Sequence, residues 1–327
     1  MRRRNQLLVI VVVLGALAVA LHSRPLALRK LARLPESVFG ERLLTPVPSH
    51  APKAAGAQAV TLTYDIVAYP GVDAMQAPRG INDKGHIVGR YVDQSSLQQG
   101  FLLQKTTFKP IAVPGTGVST APWAINKAGV VVGRYTTDGG PDYHGFILKN
   151  NTYTTVDYPG AVFTGLTGIS ASGVMVGVYF VQNSVFHGFL LNGGVFAPID
   201  FPSAITTWVS GINSSGEMVG YYEAPDGTFH GFTLVNGTYT TLDYPGAIVT
   251  DLTGIADRGD IIGAYSTDTG ATYHGFLYKD GAFTSFDVPY SSNLESTAPQ
   301  GINNHNQIVG SYVDESGYSL GFVASYQ

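Results

Sequence analysis

The sequence predicts an all-β protein, a six-bladed β-propeller built from four-stranded blades. The chain of 327 residues contains 40 Gly, 19 Tyr and 16 Phe but only 13% charged residues, which is typical of short strands and many turns. Gly-Phe recurs six times, at intervals of 43 to 46 residues. Each interval holds four strand-sized apolar segments, and four short antiparallel strands at this period are typical of a propeller blade.

Charge and cysteine content exclude several classes of protein. The chain has no Cys, so it has no disulfide framework, thiolate metal site or Cys nucleophile. Its net charge of −4 divides into +7 for residues 1–59 and −11 for residues 60–327. The repeat region is therefore acidic, which argues against a nucleic-acid partner, because neutralising phosphates requires clustered cations.

The N-terminus predicts export. A basic start precedes fifteen apolar residues at 7–21, and AVA at 18–20 offers a small-x-small cleavage site. This length is shorter than a membrane span of about 20 residues, so residues 1–21 are interpreted as a signal peptide. The alternative is an uncleaved membrane anchor. Residues 22–59 are rich in Pro and Ala and are interpreted as a spacer, and residues 60–327 as the propeller.

Three motifs define the repeat unit. The first resembles GINDKGHIVGRY (80–91), the second is Gly-Phe, and the third is aromatic-x-x-x-Asp-x-Pro. The first motif also begins at residues 124, 168, 211, 254 and 301, and the third begins at residues 64, 108, 153, 196, 239 and 283. Six copies of each motif predict six blades.

The turns between motifs predict the order of strands within a blade. NG at 192–193 and 236–237, DG at 280–281 and NN at 150–151 are typical type I′ hairpin turns, so the Gly-Phe and Asp-Pro strands should share a blade. Gly-Ile-Asn is then expected to open the innermost strand, and Asp-Pro to end the outermost. Residues 63–70 and 321–327 are expected to pair and close the ring.

His and Asp recur in four of the six units. The Asp is expected to accept hydrogen bonds from the backbone or from His at a blade corner, and the His to satisfy a buried loop. A metal-binding ring of His is rejected, because symmetry-related residues would lie far beyond metal-ligand distances of about 2.0–2.1 Å. The missing Asp are replaced by Ala68 and Ala112, and the missing His by Gln99 and Leu320.

These motifs resemble the HAF-repeat family of probable extracellular bacterial proteins over residues 80–327. The family is named for His-Ala-Phe, whereas this chain has Gly in place of that Ala in every copy. The resemblance implies an exported repeat protein and implies no particular activity.

Candidate site residues are those that break the symmetry. Two positions vary between units while their neighbours do not: the residue before Gly/Ala-Ile and the residue between Gly and Tyr of the second strand. Arg beside an aromatic ring suits a ligand that carries a carboxylate or resembles a sugar. A ligand site at the channel mouth is therefore expected to use Arg79, Arg90, Trp123, Arg134, Tyr221 and Gln300. The alternative is that these side chains only pack or pair with nearby Asp.

The sequence favours an exported, non-catalytic module that binds a carbohydrate or a protein, without a cofactor. One alternative is a hydrolase or lyase of cell-envelope polysaccharide, and another is a structural or adhesion protein. TTDGGPDY (136–143) and STDTGATY (266–273) resemble the Asp-box turn of sialidase-like propellers, which is itself a structural element. No catalytic residue can be assigned. Asp-rich loops such as 137–142 and 313–317 could hold a Ca²⁺ ion.

Overall fold

A computed structural model describes residues 60–72, 76–115, 117–137, 142–182, 185–268, 272–289 and 296–327. Strands and turns account for all regular structure within these ranges, so no helix in them could span a membrane. The expected signal peptide or anchor at 1–21 and the spacer at 22–59 lie outside the described residues.

The described part of the chain contains 24 strands. They are β1 (Leu62–Val67), β2 (Ala77–Ile81), β3 (Ile87–Val92), β4 (Gln98–Gln104), β5 (Thr107–Ile111), β6 (Ser119–Ile125), β7 (Val131–Thr136), β8 (His144–Lys149), β9 (Thr152–Val156), β10 (Phe163–Ile169), β11 (Met175–Phe180), β12 (His187–Asn192), β13 (Val195–Ile199), β14 (Thr206–Ile212), β15 (Met218–Glu223), β16 (Phe229–Val235), β17 (Thr238–Thr241), β18 (Val249–Ile255), β19 (Ile261–Ser266), β20 (His274–Lys279), β21 (Ala282–Phe286), β22 (Thr297–Ile302), β23 (Gln307–Val313) and β24 (Ser319–Tyr326).

Sheets of four antiparallel strands adopt a propeller-like arrangement. Strands β2–β5, β6–β9 and β10–β13 each form one sheet in sequence order. Strands β14–β17 and β18–β21 repeat this order and are linked by a single parallel bridge between Phe229 and Val249. The remaining sheet has the order β1-β24-β23-β22, with Leu62 opposite Tyr326 and Val67 opposite Gly321.

Gly-Phe packs each sheet against the next. The six Phe side chains are at most 1% exposed. A Cβ added to Gly100 would lie 2.6 Å from Pro122 of the following sheet, so a larger residue cannot fit. These dry contacts between neighbouring sheets form the core.

Gly-Ile-Asn ends the innermost strand, and the expectation that it opens this strand is wrong. Strand β2 ends at Ile81, and Asn82 begins the turn to β3. The Asn82 side-chain oxygen accepts hydrogen bonds from the backbone N–H groups of Lys84 and His86, at 3.0 and 3.1 Å. The Asn therefore caps a turn, as short polar side chains commonly do.

The same Asn joins neighbouring sheets. Its side-chain amide donates to the carbonyl of the equivalent residue in the next sheet: Asn82 to Asn126 at 2.9 Å and Asn126 to Ser170 at 3.2 Å. Asn303 of the last sheet donates to the carbonyl of Asn82 at 3.1 Å. One side chain therefore stabilises both its own turn and the contact between sheets.

Replacing Asn126 by Ala should lower the free energy of unfolding by about 1–3 kcal/mol, because buried partners of its side chain lose their hydrogen bonds. Urea denaturation measures this change. The adjacent exposed Lys127→Ala is the control and should stay within about 0.5 kcal/mol of the parent. Equal effects of the two substitutions would contradict this role.

Type I′ turns connect the third to the fourth strand in four of the sheets. Positive φ angles occur at both Asn150 and Asn151, as this turn requires. In the third sheet the turn residues are Gly193 and Gly194, one position later than the expected NG at 192–193. The reason is that Asn192 still belongs to β12 and pairs with Val195.

The expected His–Asp hydrogen bonds are confirmed. His144, for example, contacts Asp157 at 2.9 Å, and the equivalent pairs are His187–Asp200, His230–Asp243 and His274–Asp287. The expectation that His satisfies a buried loop is wrong, because the His144 side chain is 38% exposed. Its ring instead packs against Tyr135, with centroids 5.3 Å apart.

Candidate functional site

A cavity of about 330 Å³ lies where the six innermost strands converge. Each of these strands carries a β-bulge beside its Gly/Ala-Ile, at the position between the two residues where the pairing register shifts. Bulges re-aim side chains. The six bulge residues all line the cavity: Arg79, Trp123, Thr167, Ser210, Thr253 and Gln300.

Three of the predicted site residues meet in this cavity. The Arg79 guanidinium donates to the Gln300 side-chain oxygen at 2.7 Å and lies 4.4 Å from the centroid of the Trp123 ring. Arg134 lies 4.9 Å from the same ring. Arg79 is only 7% exposed, whereas Trp123 is half-buried. Their expected position at a channel mouth stays a prediction.

The other predicted residues extend from the second strands. Arg90 donates to the side-chain oxygen of Gln98 at 2.5 Å. Small inner-strand residues face the two second-strand arginines and leave space for their side chains. The cross-strand partners of Arg90, Arg134 and Tyr221 are Ala77, Ala121 and Trp208, respectively.

The three arginines form a cationic cluster that no carboxylate of the described residues neutralises. They are 7–9% exposed, and none of them forms an ion pair with a carboxylate of the described residues. Burial lowers the pKa of Arg79 well below its ordinary value, with further lowering from Arg90 and Arg134. Burial, followed by Arg134, lowers the pKa of Arg90 to about 10, and burial also lowers that of Arg134.

Part of the hydrogen-bonding capacity of this cluster is unused. The Nε atoms of Arg79 and Arg134 are buried and have no hydrogen-bond partner in the described part of the chain. Burying a cation without a paired anion costs free energy, and the faces of aromatic rings offset only part of that cost. The arrangement therefore suits an anionic ligand that accepts hydrogen bonds from guanidinium groups.

Several aromatic residues near the arginines and Trp123 were not predicted from the sequence. Trp208 lies 6.5 Å from Trp123 and stacks on Tyr221 at 5.9 Å, measured between ring centroids. Tyr143 lies 5.1 Å from the Arg134 guanidinium. Trp123, Trp208 and Tyr221 are half-buried, and of these three Trp123 lines the cavity.

Asp251 is a carboxyl group that sequence reasoning missed. It lies on the innermost strand β18, is 1% exposed, and neither of its oxygens has a hydrogen-bond partner among the described residues. Burial raises the pKa of Asp251 from 3.8 to about 7. The group can therefore hold or release a proton near neutral pH.

No group of three or more His, Asp or Glu within the described ranges is arranged to hold a metal ion. The Asp314 carboxylate of loop 313–317 instead accepts hydrogen bonds from the backbone N–H groups of Ser316 and Tyr318. Most of loop 137–142 lies outside the described residues. The expectation of bound Ca²⁺ at these loops stays a prediction.

Replacing Arg134 by Met should raise the free energy of unfolding of the ligand-free chain by about 1–2 kcal/mol, because a buried charge without a counter-ion gives way to an apolar side chain of similar length. Thermal denaturation at neutral pH measures this change. Lys149→Met, at an exposed position, is the matched control and should leave the melting temperature nearly unchanged. A strongly destabilised Arg134→Met would mean that the arginine is structural.

No protein-family model matches the chain, and no curated protein matches it. Among solved structures, TolB from Acinetobacter baumannii is similar with a TM-score of 0.52 and 13% identity, over 75% of this chain and 67% of that one. A lectin from Aleuria aurantia in complex with alpha-methyl-L-fucoside has a TM-score of 0.49 and 10% identity, over 78% of this chain and 94% of that one. AofleA from Arthrobotrys oligospora has a TM-score of 0.48 and 14% identity, over 79% of this chain and 81% of that one. At these identities the likeness to TolB concerns the fold: sheets of antiparallel strands in a propeller-like arrangement.

Proposed function

We propose that the chain is an exported, non-catalytic six-bladed β-propeller whose channel binds an anionic ligand. The observation that carries the proposal is the cluster of Arg79, Arg90 and Arg134, buried without a carboxylate partner among the residues that the structure describes. A protein retains such a cluster against its cost when a ligand supplies the missing negative charge. Stability alone would favour apolar side chains at these positions.

The aromatic residues narrow the class of ligand. Trp123 lies against two guanidinium groups, and Trp208 lies beside it. Flat aromatic faces suit the apolar faces of sugar rings, while guanidinium groups suit carboxylates. A carboxylated carbohydrate fits both features better than a protein partner, which would need a large accessible surface.

A closed ring of six blades is part of this proposal. Strand β1 completes the sheet of β22–β24, so each of the six repeat units has four strands. The first and last innermost strands also approach each other, since a Cβ on Gly301 would lie 2.7 Å from the carbonyl oxygen of Arg79. Both contacts support closure of the ring between its first and last units.

The proposed location is the cell exterior, the periplasm or the cell surface. It rests on the basic and apolar segment at 1–21 and on the resemblance of residues 80–327 to HAF-repeat proteins. Membership of that family and retention by an uncleaved anchor are both part of the proposal. Fractionation of cells that express the full chain tests the location.

A hydrolase or lyase of acidic polysaccharide is the second candidate, and Asp251 favours it. A buried carboxyl with a pKa of about 7 can donate a proton to a leaving group at neutral pH. Burial raises the pKa of Tyr221 well above its ordinary value, which disfavours a tyrosinate nucleophile beside it. The binding function therefore remains the first proposal.

A polysaccharide panel tests both candidates. Polygalacturonate and alginate should bind the purified chain, while neutral dextran should not. Arg79→Met should weaken binding to the acidic polymers at least tenfold, and the exposed Lys149→Met should not. Equal binding of the three polymers, or no effect of Arg79→Met, would refute the proposed site. Release of shortened or unsaturated products would identify the second candidate.

A further inference from the structure

One position of the innermost strands differs in residue size between the sheets. It lies two residues before each bulge residue, on the strand segment that precedes the cavity. Four of the six sheets have a small residue there, and two do not. The six residues at this position are Ala77, Ala121, Gly165, Trp208, Asp251 and Ala298.

Asp251 therefore stands where the repeat pattern places Ala or Gly. Its cross-strand neighbour is Ala264, which occupies the same second-strand position as Arg90 and Arg134 in the first two sheets. No cation takes that place beside Asp251. Both carboxyl oxygens are buried and accept no hydrogen bond from the described residues.

The Tyr221 hydroxyl responds to the charges of both Asp251 and the arginine cluster. Burial and the charge of Asp251 raise the pKa of the Tyr221 hydroxyl, whereas Arg134 and Arg79 lower it. Tyr221 is therefore within electrostatic range of both the acid and the arginines. Burial and then the charge of Asp251 also raise the pKa of Tyr273.

The arginine cluster therefore has unused donors, and Asp251 has unused acceptors. The donors are the Nε atoms of Arg79 and Arg134, and the acceptors are the two oxygens of Asp251. A simple anion would satisfy the donors and leave the acceptors unsatisfied. A ligand with a carboxylate and several hydroxyl groups would satisfy both sets.

We propose that the channel binds a hexuronic acid unit, with its carboxylate on the arginine cluster and a hydroxyl group donating to Asp251. This assignment rests on the proposed anion-binding function and adds the second recognition group. Asp251 then determines specificity, because it binds the hydroxyl group of a hydroxylated anion and has no such contact with an anion that lacks hydroxyl groups. The half-buried Trp123 and Trp208 rings supply the surface between the two groups.

Intrinsic fluorescence provides the test, because the chain has only two Trp: Trp123 lines the cavity, and the Trp208 ring lies 6.5 Å from the Trp123 ring. Sodium glucuronate, sodium acetate and methyl glucoside are titrated into the full chain. The parent should bind glucuronate at least tenfold more tightly than acetate, and methyl glucoside more weakly than glucuronate. A hydrogen bond to a charged group accounts for a difference of this size.

Asp251→Leu should bring the ratio of glucuronate to acetate affinity below about threefold while acetate binding persists. Asp251→Asn, which keeps an acceptor oxygen, should retain part of the preference and also serves if the Leu variant does not fold. The exposed Asp65→Asn is the control and should keep the full preference.

The outcomes separate this inference from the proposed function. A parent chain that binds acetate and glucuronate equally, or an Asp251→Leu variant that keeps the tenfold preference, overturns the role of Asp251 and leaves anion binding intact. A parent chain that binds neither anion overturns both.

Discussion

Replacing Gly133 by Ala is expected to lower the free energy of unfolding by about 3 kcal/mol. A Cβ at this position would lie 2.3 Å from the carbonyl oxygen of Ala121 and 2.8 Å from the Phe146 ring. The first of these atoms belongs to the backbone of the neighbouring strand and cannot rotate away. Forcing extra atoms into such a packed site costs about 1–3 kcal/mol or more. Urea denaturation with a fluorescence readout measures the change.

Gly211→Ala is the matched control. Gly211 also lies in a strand and has no positive φ, but the nearest atoms to an added Cβ are 3.5 Å away. This substitution should change the free energy of unfolding by less than about 1 kcal/mol. If the two variants were equally stable, the packing of the second strand against the first would not explain its repeated Gly.

Replacing Asp251 by Asn is expected to stabilise the protein by up to about 4 kcal/mol more at pH 8 than at pH 4. The pKa of Asp251 is about 7 in the folded chain, against an ordinary value of 3.8. Between these values the folded state binds more protons than the unfolded state, so stability falls as pH rises from about 4 to about 7. Each unit of pKa difference corresponds to about 1.4 kcal/mol, and Asn removes the titration.

Denaturation midpoints of the parent and variant across pH 4–8 measure this difference. The exposed Asp65→Asn is the control, and its effect should not change with pH by more than about 0.5 kcal/mol. Parallel stability curves for the parent and Asp251→Asn would contradict the burial of an unpartnered carboxyl on β18.

Most of the fold could be predicted from the repeat period, because each repeated motif has a role in packing. Sheets of four strands follow from the interval between Gly-Phe pairs, and the type I′ turns fix which strands are neighbours. The repeat period does not determine whether Gly-Ile-Asn lies at the start or at the end of its strand. A Gly-rich stretch is equally consistent with the start or the end of a strand, and only the hydrogen bonds of Asn82 show that it is the end.

The missing His and Asp residues are explained by the same pairing. Gly100 pairs with Ile111, so the adjacent Gln99 and Ala112 occupy the positions of a His–Asp pair. Val67 pairs with Gly321, which places Ala68 beside Leu320 in the same way. Both partners are therefore absent from the same two sheets. The sequence contained this correlation, which would have indicated the pairing of β1 with β24 independently.

The candidate site was only partly predictable. Arg79, Arg90 and Arg134 could be predicted as site residues because their positions differ between repeat units while the neighbouring positions do not. Asp251 and Trp208 vary in the same manner, at a position two residues before the bulge, where Ala or Gly stands in the other sheets. Aligning that position would have found them. The burial of Asp251 and its lack of an arginine partner among the described residues depend on contacts between sheets, which a single sequence does not specify.

The most direct measurement of the central claim is a crystal structure of the chain grown in sodium bromide, with anomalous data that locate each anion. The unneutralised arginine cluster predicts a bromide peak at hydrogen-bonding distance from the Arg79 or Arg134 guanidinium, beside Trp123. Bromide bound only on the outer surface, with water alone beside these guanidinium groups, would contradict an anion-binding channel.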